Sequence, residues 1–263
     1  MPEGDVLRRT ATRLDQALAG RVLVRAELRW PSVATVDLVG RTVLGTAPYG
    51  KHLLTRFDDG RTLHTHLRMD GSWRIARTGT PAARAGGQLV RAVLGAETWT
   101  AIGDRLGMVD VVATRDEHTL IGHLGPDLLG ADFPGAGLVE ALRRWDLHGA
   151  DPACDVLLDQ GVAAGIGTIW MAESLFARRI WPWTPADRVD AAAVLTTART
   201  LMGRSAAAFA ASGGSRGVAD VGRQVHGRLR QPCSRCGTPI AVGTARKPPQ
   251  ERPVFYCPTC QHA

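Results

Sequence analysis

Lysine is nearly missing from this chain. Of 32 lysines and arginines, only Lys51 and Lys247 are lysines. Arginine, alanine and glycine dominate, as expected of a G+C-rich genome. Against that background an isolated lysine stands out, because Lys can give up its proton and Arg cannot readily do so. Lys51 is singled out on that ground, whereas Lys247, in a Pro-rich loop, reads as chance. No run of 18 or more apolar residues exists, so no membrane span is expected. The opening Met1-Pro2-Glu3-Gly4-Asp5 carries acid early and no apolar stretch, unlike a secretory signal. A cytoplasmic protein is expected. Cysteine is scarce too: up to Arg230 the only one is Cys154, which excludes a disulfide scaffold and reads as a buried residue on a helix face. There is no internal repeat and no long low-complexity tract.

What is present is a chain of 263 residues, 44% hydrophobic, long enough for two domains and a sizeable core. Its formal net charge of +7 attracts phosphate polyanions through counterion release. The last thirty-odd residues hold Cys233-x2-Cys236, a spacer of twenty residues, and Cys257-x2-Cys260. Four thiolates in two such pairs close a tetrahedral shell around one Zn²⁺, with no position left for substrate. Such a site is structural, and its binding free energy becomes folding free energy for a segment too small to have its own core. The other reading, two disulfides in a secreted tail, is disfavoured by the N-terminus and by the rest of the chain.

Residues 4–19 read as a helix with one apolar stripe, Leu7, Ala11, Leu14 and Leu18. Eight short Val-, Thr- and Leu-rich runs follow: Val22–Trp30, Arg41–Leu44, His52–Phe57, Thr62–Leu67, Ser72–Ala76, Val90–Leu94, Thr98–Ile102 and Met108–Ala113. Their spacing predicts a β-sandwich, with hairpin turns at Asp59-Gly60 and Asp70-Gly71. The Gly- and Pro-rich residues 119–137 read as a linker. Helices are expected at Leu138–Trp145, Cys154–Gln160, Ile169–Arg178 and Asp187–Met202, and a mobile loop at Ser212–Gly222. The fold class is α+β and multidomain: an N-terminal helix with a β-sandwich (1–118), a helical domain (138–226) and a zinc ribbon (227–263). Two domains joined by a linker leave a cleft, a common place for a binding site.

Four stretches carry a resemblance. They are the Met1-Pro2-Glu3-Gly4-Asp5 opening, Tyr49-Gly50-Lys51-His52-Leu53-Leu54 on a strand, the run Leu157–Leu175 through Gly165-Ile166-Gly167-Thr168, and Arg252 leading into Cys257 and Cys260. In that order, along the whole chain, they resemble the formamidopyrimidine-DNA glycosylase/endonuclease VIII family. The Pro-Glu-Gly opening is more similar to its endonuclease VIII branch. The resemblance implies a helix–two-turn–helix in the second domain, damaged DNA as partner, one structural zinc, and a monomer at the nucleoid. It implies a bifunctional DNA glycosylase and abasic-site lyase of base-excision repair, with oxidised pyrimidines favoured over oxidised or ring-opened purines.

The residues make chemical sense of that implication. Trimming Met1 leaves Pro2 with a free secondary amine; an α-amino group titrates near ~8, so part of it is neutral at physiological pH. It can attack C1′ of a damaged nucleotide and form an iminium, an electron sink that promotes elimination. Glu3 can move protons beside it, and Lys51 can hold the neighbouring phosphate. Taken alone, Pro2-Glu3 would be an ordinary disordered start and Lys51 a solvated edge lysine. Gly165 and Gly167 permit a tight turn and a close approach, and the helix after them presents free N–H groups to a phosphate. Thr168 departs from the family's Asn; it can still cap the helix and donate one bond. Arg252 is placed to grip phosphate. His66, Arg68 and Met69 resemble the loop that fills the gap left by a flipped nucleotide, with Met69 as the wedge and His66 on a phosphate. Arg105 with Leu106 resembles a second such loop, though Leu106 is not the expected aromatic. Two rivals stay open: a glycosylase specialised for unusual or bulky adducts, and a non-catalytic protein that binds damaged DNA.

Overall fold

The structure is a computed structural model that describes residues 2–211 and 222–262. It forms two compact units. One holds Pro2 and Val6–His123; the other holds Glu3–Asp5 with the described residues from Leu124 onward. The loop expected at Ser212–Gly222 lies, up to residue 221, outside the described residues.

Helix α1 (Gly4–Leu18) belongs to the first unit from Val6 onward, and its Leu7, Ala11, Leu14 and Leu18 are buried as their spacing requires. Eight strands follow: β1 (Leu23–Leu28), β2 (Val43–Tyr49), β3 (His52–Phe57), β4 (Arg61–His66), β5 (Ser72–Arg77), β6 (Val90–Ala96), β7 (Trp99–Asp104) and β8 (Met108–Ala113). They build two antiparallel four-stranded sheets, ordered β1-β6-β7-β5 and β2-β3-β4-β8. This is the expected sandwich. Leu53, Phe57, Leu63 and Val109 turn inward to a core shared with Leu14 and Leu94, each fully buried side chain contributing about 1.5–3 kcal/mol.

Two turns differ from expectation. Asp70-Gly71 joins β4 to β5, which lie in different sheets, so it is a crossover and not a hairpin. A Cβ on Gly71 would lie 2.4 Å from the Leu67 carbonyl oxygen, so only glycine fits this bend. The tight hairpin missed by the sequence is Tyr49-Gly50-Lys51-His52, where Tyr49 pairs with His52 and Gly50 has φ +54. Lys51 is therefore at a turn tip and not on a strand. β2 runs on through Pro48 because it is an edge strand, where a missing N–H costs no ladder bond.

The second unit contains a lead-in over residues 124–137, which ends in a π-helical turn at Phe133–Gly137, and then α3 (Leu138–Trp145), α4 (Ala153–Leu157), α5 (Thr168–Arg178) and α6 (Ala191–Ala211), followed by the β9 (Ala241–Ala245) and β10 (Arg252–Tyr256) hairpin. The short helix α2 (His118–Ile121) closes the first unit. Leu128, Leu129 and Phe133, within the stretch read as a linker, are buried in the same core as Trp145, Phe176 and Met202. Cys233, Ile240, Val254 and Cys257 of the ribbon join that core. α4 stops at Leu157 because Asp159 accepts from Gly161 N–H (2.7 Å) and bends the chain. α6 begins at Ala191, later than expected, where Asp190 caps it by accepting from Ala193 N–H (2.9 Å). No helix among the described residues is long and apolar enough to cross a membrane.

Candidate active site

Glu3 is the most constrained residue near the N-terminus. It is 1% exposed, and its carboxylate accepts from the backbone N–H groups of Gly167 (2.9 Å), Ile169 (2.8 Å) and Trp170 (3.2 Å). Those are the orphan donors of the α5 N-terminus. The acid thus caps a helix that starts 165 residues later, and the helix dipole favours its charge. A Cβ on Gly167 would lie 2.5 Å from Glu3 Cδ, so the close approach demands glycine there. Gly165 has φ +113 and its carbonyl accepts from Gly4 N–H (2.9 Å). Asp5 accepts from Trp170 Nε1 (3.1 Å) and Ser205 Oγ (2.6 Å). Glu3–Asp5 is therefore a tied-down start, with Pro2 half-buried just ahead of it.

This geometry corrects the expected role of the Gly165–Thr168 turn. The N–H groups of Gly167, Ile169 and Trp170 are taken by Glu3 and are not free for phosphate. Thr168 does not cap the helix: Gly167 occupies the cap position and Thr168 is the first helical residue, half-buried. Three other residues that sequence reasoning missed brace this region. Gln160 accepts from Gly165 N–H (3.0 Å) and donates to the Ile166 carbonyl (2.9 Å). Buried Glu173 accepts from the N–H groups of Gln224, Val225 and His226, at 2.9 to 3.0 Å. Arg235 donates to the Phe176 carbonyl (2.7 Å) at the end of α5 and stacks 4.0 Å over the Phe176 ring. The signal in the sequence was slight: Glu173 is a lone acid within an apolar run, and Arg235 one more arginine between two cysteines.

In the first unit, the loops at 67–71 and 105–107 meet: Gly107 N–H donates to the His66 carbonyl (2.8 Å), and the Arg68 side chain lies against Gly107. Arg68 and Arg105 are exposed, both with positive φ (+48 and +51). Met69 is 63% exposed at its loop tip and so is not a core residue. Leu106 is 2% exposed, packed toward Gly103 and Trp73 in the sandwich, and belongs to no plug. His66 Nδ1 accepts from Arg68 N–H (2.9 Å). Burial, with the charges of His64, Lys51 and Arg68, pushes His66 down to about 4.

The sulfurs of Cys233, Cys236, Cys257 and Cys260 lie within 4.8 Å of one another. Cys233–Cys260 and Cys236–Cys257 are separated by 3.9 and 3.5 Å. A tetrahedron with Zn–S bonds of about 2.3 Å has edges of roughly 3.8 Å, whereas a disulfide needs about 2.05 Å. The four thiols fit a metal ion and not two bridges. Burial and the neighbouring sulfurs push the Cys260 thiol up to about 12, a cost that a cation would remove. Arg252 opens β10 on the hairpin between the two cysteine pairs, exposed, five residues before Cys257. Cys154 is fully buried, and burial raises its thiol. Cys257→Ser is expected to lower metal content from one equivalent to well below it and to loosen the β9–β10 hairpin. Metal analysis and circular dichroism check this; a full equivalent of metal in the variant would contradict it.

Comparison with known proteins defines the class first. The fold matches Lactococcus lactis formamidopyrimidine-DNA glycosylase, solved non-covalently bound to DNA containing an abasic site, with a TM-score of 0.80 at 21% identity over 99% of this chain and 100% of that one. The family description "Formamidopyrimidine-DNA glycosylase N-terminal domain" matches residues 1–111. "Probable endonuclease 8 2" of Streptomyces coelicolor is 43% identical, covering 99% of this chain and 94% of that protein. "DNA-(apurinic or apyrimidinic site) lyase Nei2" of Mycolicibacterium smegmatis is 36% identical over the full length of both. The chain belongs to the formamidopyrimidine-DNA glycosylase/endonuclease VIII family, and these relatives' names fit its endonuclease VIII branch.

Proposed function

We propose that this chain is a bifunctional DNA glycosylase and abasic-site lyase of base-excision repair. It acts as a monomer on damaged DNA in the cytoplasm, at the nucleoid, and favours oxidised pyrimidines. Family membership supports the activity. The observation that carries the assignment of residues is the fastening of Glu3–Asp5 to α5 and α6, which gives Pro2 a fixed mount.

The reaction starts at the Pro2 nitrogen. It bonds to C1′ as the bond from C1′ to the base breaks; the base leaves with the electron pair and takes up a proton. The nitrogen loses its own proton, and opening of the C1′–O4′ bond, with a proton to O4′, yields an iminium. The iminium acidifies C2′; loss of that proton and departure of the 3′ phosphate cleave the strand. Glu3 moves protons at the sugar. Lys51 supplies the cation beside the phosphate, and Arg252 grips the strand from the ribbon. Zinc, held by Cys233, Cys236, Cys257 and Cys260, supplies fold alone. Met69 fills the vacated stack, with Arg68 and Arg105 beside it.

A borohydride trap against abasic and lesion-bearing oligonucleotides tests this reading. Covalent complex on abasic DNA and on oxidised pyrimidines is expected; none on any substrate would leave only a binding protein. The burial of Leu106 favours one second reading, a glycosylase for unusual or bulky adducts, because that side chain is then withheld from the second gap-filling loop. Selective excision of a bulky adduct in the same panel would establish it.

Thr168 offers a separate check. With the backbone donors held by Glu3, its side chain is the changeable contact at the α5 N-terminus. Thr168→Asn adds an amide donor and is expected to tighten binding to all DNA roughly threefold to tenfold, with lesion preference unchanged, because phosphate contacts position and base contacts specify. Titrations on matched and lesion duplexes measure it; a loss confined to one lesion would show an adapted site instead.

A further inference from the structure

The sheet β2-β3-β4-β8 carries His52, His64, His66 and Asp110 on one face. His52 sits opposite His66, and His64 opposite Asp110. His64 is 1% exposed and touches both neighbours: its Nδ1 lies 3.0 Å from Asp110 Oδ2, and its Nε2 lies 2.8 Å from His52 Nδ1. The His52 and His64 ring centroids lie 5.0 Å apart with their planes 18° from parallel, and His66 meets His52 edge-on at 4.9 Å.

The polarity of this chain follows from its acid end. A carboxylate only accepts, so His64 Nδ1 carries the hydrogen. In the Nδ1–H tautomer the ring keeps a lone pair on Nε2, and His52 Nδ1 donates to it. That leaves His52 Nε2 bare. His66 is set the other way: Arg68 N–H donates to its Nδ1, so its hydrogen is on Nε2. Burial, then the positive charge that protonated His66, His64 and His123 would bring and that of Lys51, push His52 down to about 3. A ring with so little affinity for protons is a poor general base and a steady neutral acceptor. The group that could use it is Lys51, next in the chain at the tip of a two-residue turn and electrostatically coupled to both His52 and His66.

We infer that Asp110, His64 and His52 form a relay that positions Lys51: it holds His52 Nε2 as a fixed acceptor beside the turn and so sets the direction of the ammonium group. The third group of a catalytic triad orients its histidine by the same tautomer logic. The consequence for catalysis rests on the lyase reading above; the relay itself does not.

The test begins with imidazole ¹⁵N spectra of the labelled full-length protein near pH 7. Hydrogen is expected on Nδ1 of His52 and His64 and on Nε2 of His66. A hydrogen on His52 Nε2, or two on His64, would overturn the relay. Activity then tests its purpose. His64→Gln keeps a donor toward Asp110 and an acceptor toward His52, whereas His64→Leu keeps volume and breaks both links. On preformed abasic DNA at saturating enzyme, the Leu variant is expected to cleave roughly tenfold slower and the Gln variant within about threefold of the parent. Affinity for DNA bearing an uncleavable tetrahydrofuran analogue stays unchanged in both. Equal rates for the Leu variant and the parent, or equal losses in the two variants, would overturn the positioning role. A parent protein that fails to cleave abasic DNA would defeat the lyase reading, and the spectra would still decide the relay.

Discussion

Retention of Met1 ahead of Pro2 is expected to abolish borohydride-trapped complex, by on the order of a thousandfold or more, the scale for removing a nucleophile. The change buries the proline nitrogen in a peptide bond, where it has no lone pair to offer. Pro2→Gly keeps an α-amine but makes it primary and frees its backbone, so trapping falls less, by roughly ten- to a hundredfold. Neither change touches the Glu3–Asp5 anchor on α5 and α6. DNA affinity and melting temperature therefore stay near those of the parent. Undiminished trapping with Met1 in place would move the nucleophile elsewhere, and Lys51 is the first suspect.

Glu3→Gln has the second largest effect. Base excision should fall by roughly a hundred- to a thousandfold, while cleavage of a preformed abasic site falls by about tenfold at most, since base loss is already complete. The structure adds a cost absent from a purely chemical argument. Oε1 accepts from Ile169 N–H, and Oε2 accepts from Gly167 and Trp170 N–H. A glutamine has one acceptor for these two sides, so its NH₂ must face at least one donor, costing about 1–3 kcal/mol. A small drop in melting temperature should accompany the catalytic loss. Equal loss of excision and abasic-site cleavage, with melting unchanged, would give Glu3 a broader chemical role.

The sandwich was legible because alternation is local: β3 and β8 fall within their predicted spans, and the α1 stripe is buried residue for residue. Sheet order was not legible. Nothing around Asp70-Gly71 says that β5 leaves its neighbour for the opposite sheet. Leu128, Leu129 and Phe133 lack periodicity, so glycines and prolines around them masked their burial. At the candidate site, residue types were readable from motif and the partners were not. Glu3 meets the α5 N-terminus across a sequence separation of 164, and no pattern near residue 3 encodes that. His52 and His64 passed as unremarkable strand residues because their link to Asp110 exists only once β8 pairs with β4.

Helix α5 has an oppositely charged group fastened to each end, the carboxylate of Glu3 at its start and the guanidinium of Arg235 at its finish. Its eleven residues make a strut about 16 Å long. Neither fastening belongs to the helix, so the strut fixes the separation between the chain's opening residues and its metal-binding tail. Adding or deleting one residue would turn one end by about 100° relative to the other. Either Glu3 or Arg235 would then lose its seat. The length of α5 is therefore far less free to change than its outward-facing residues are.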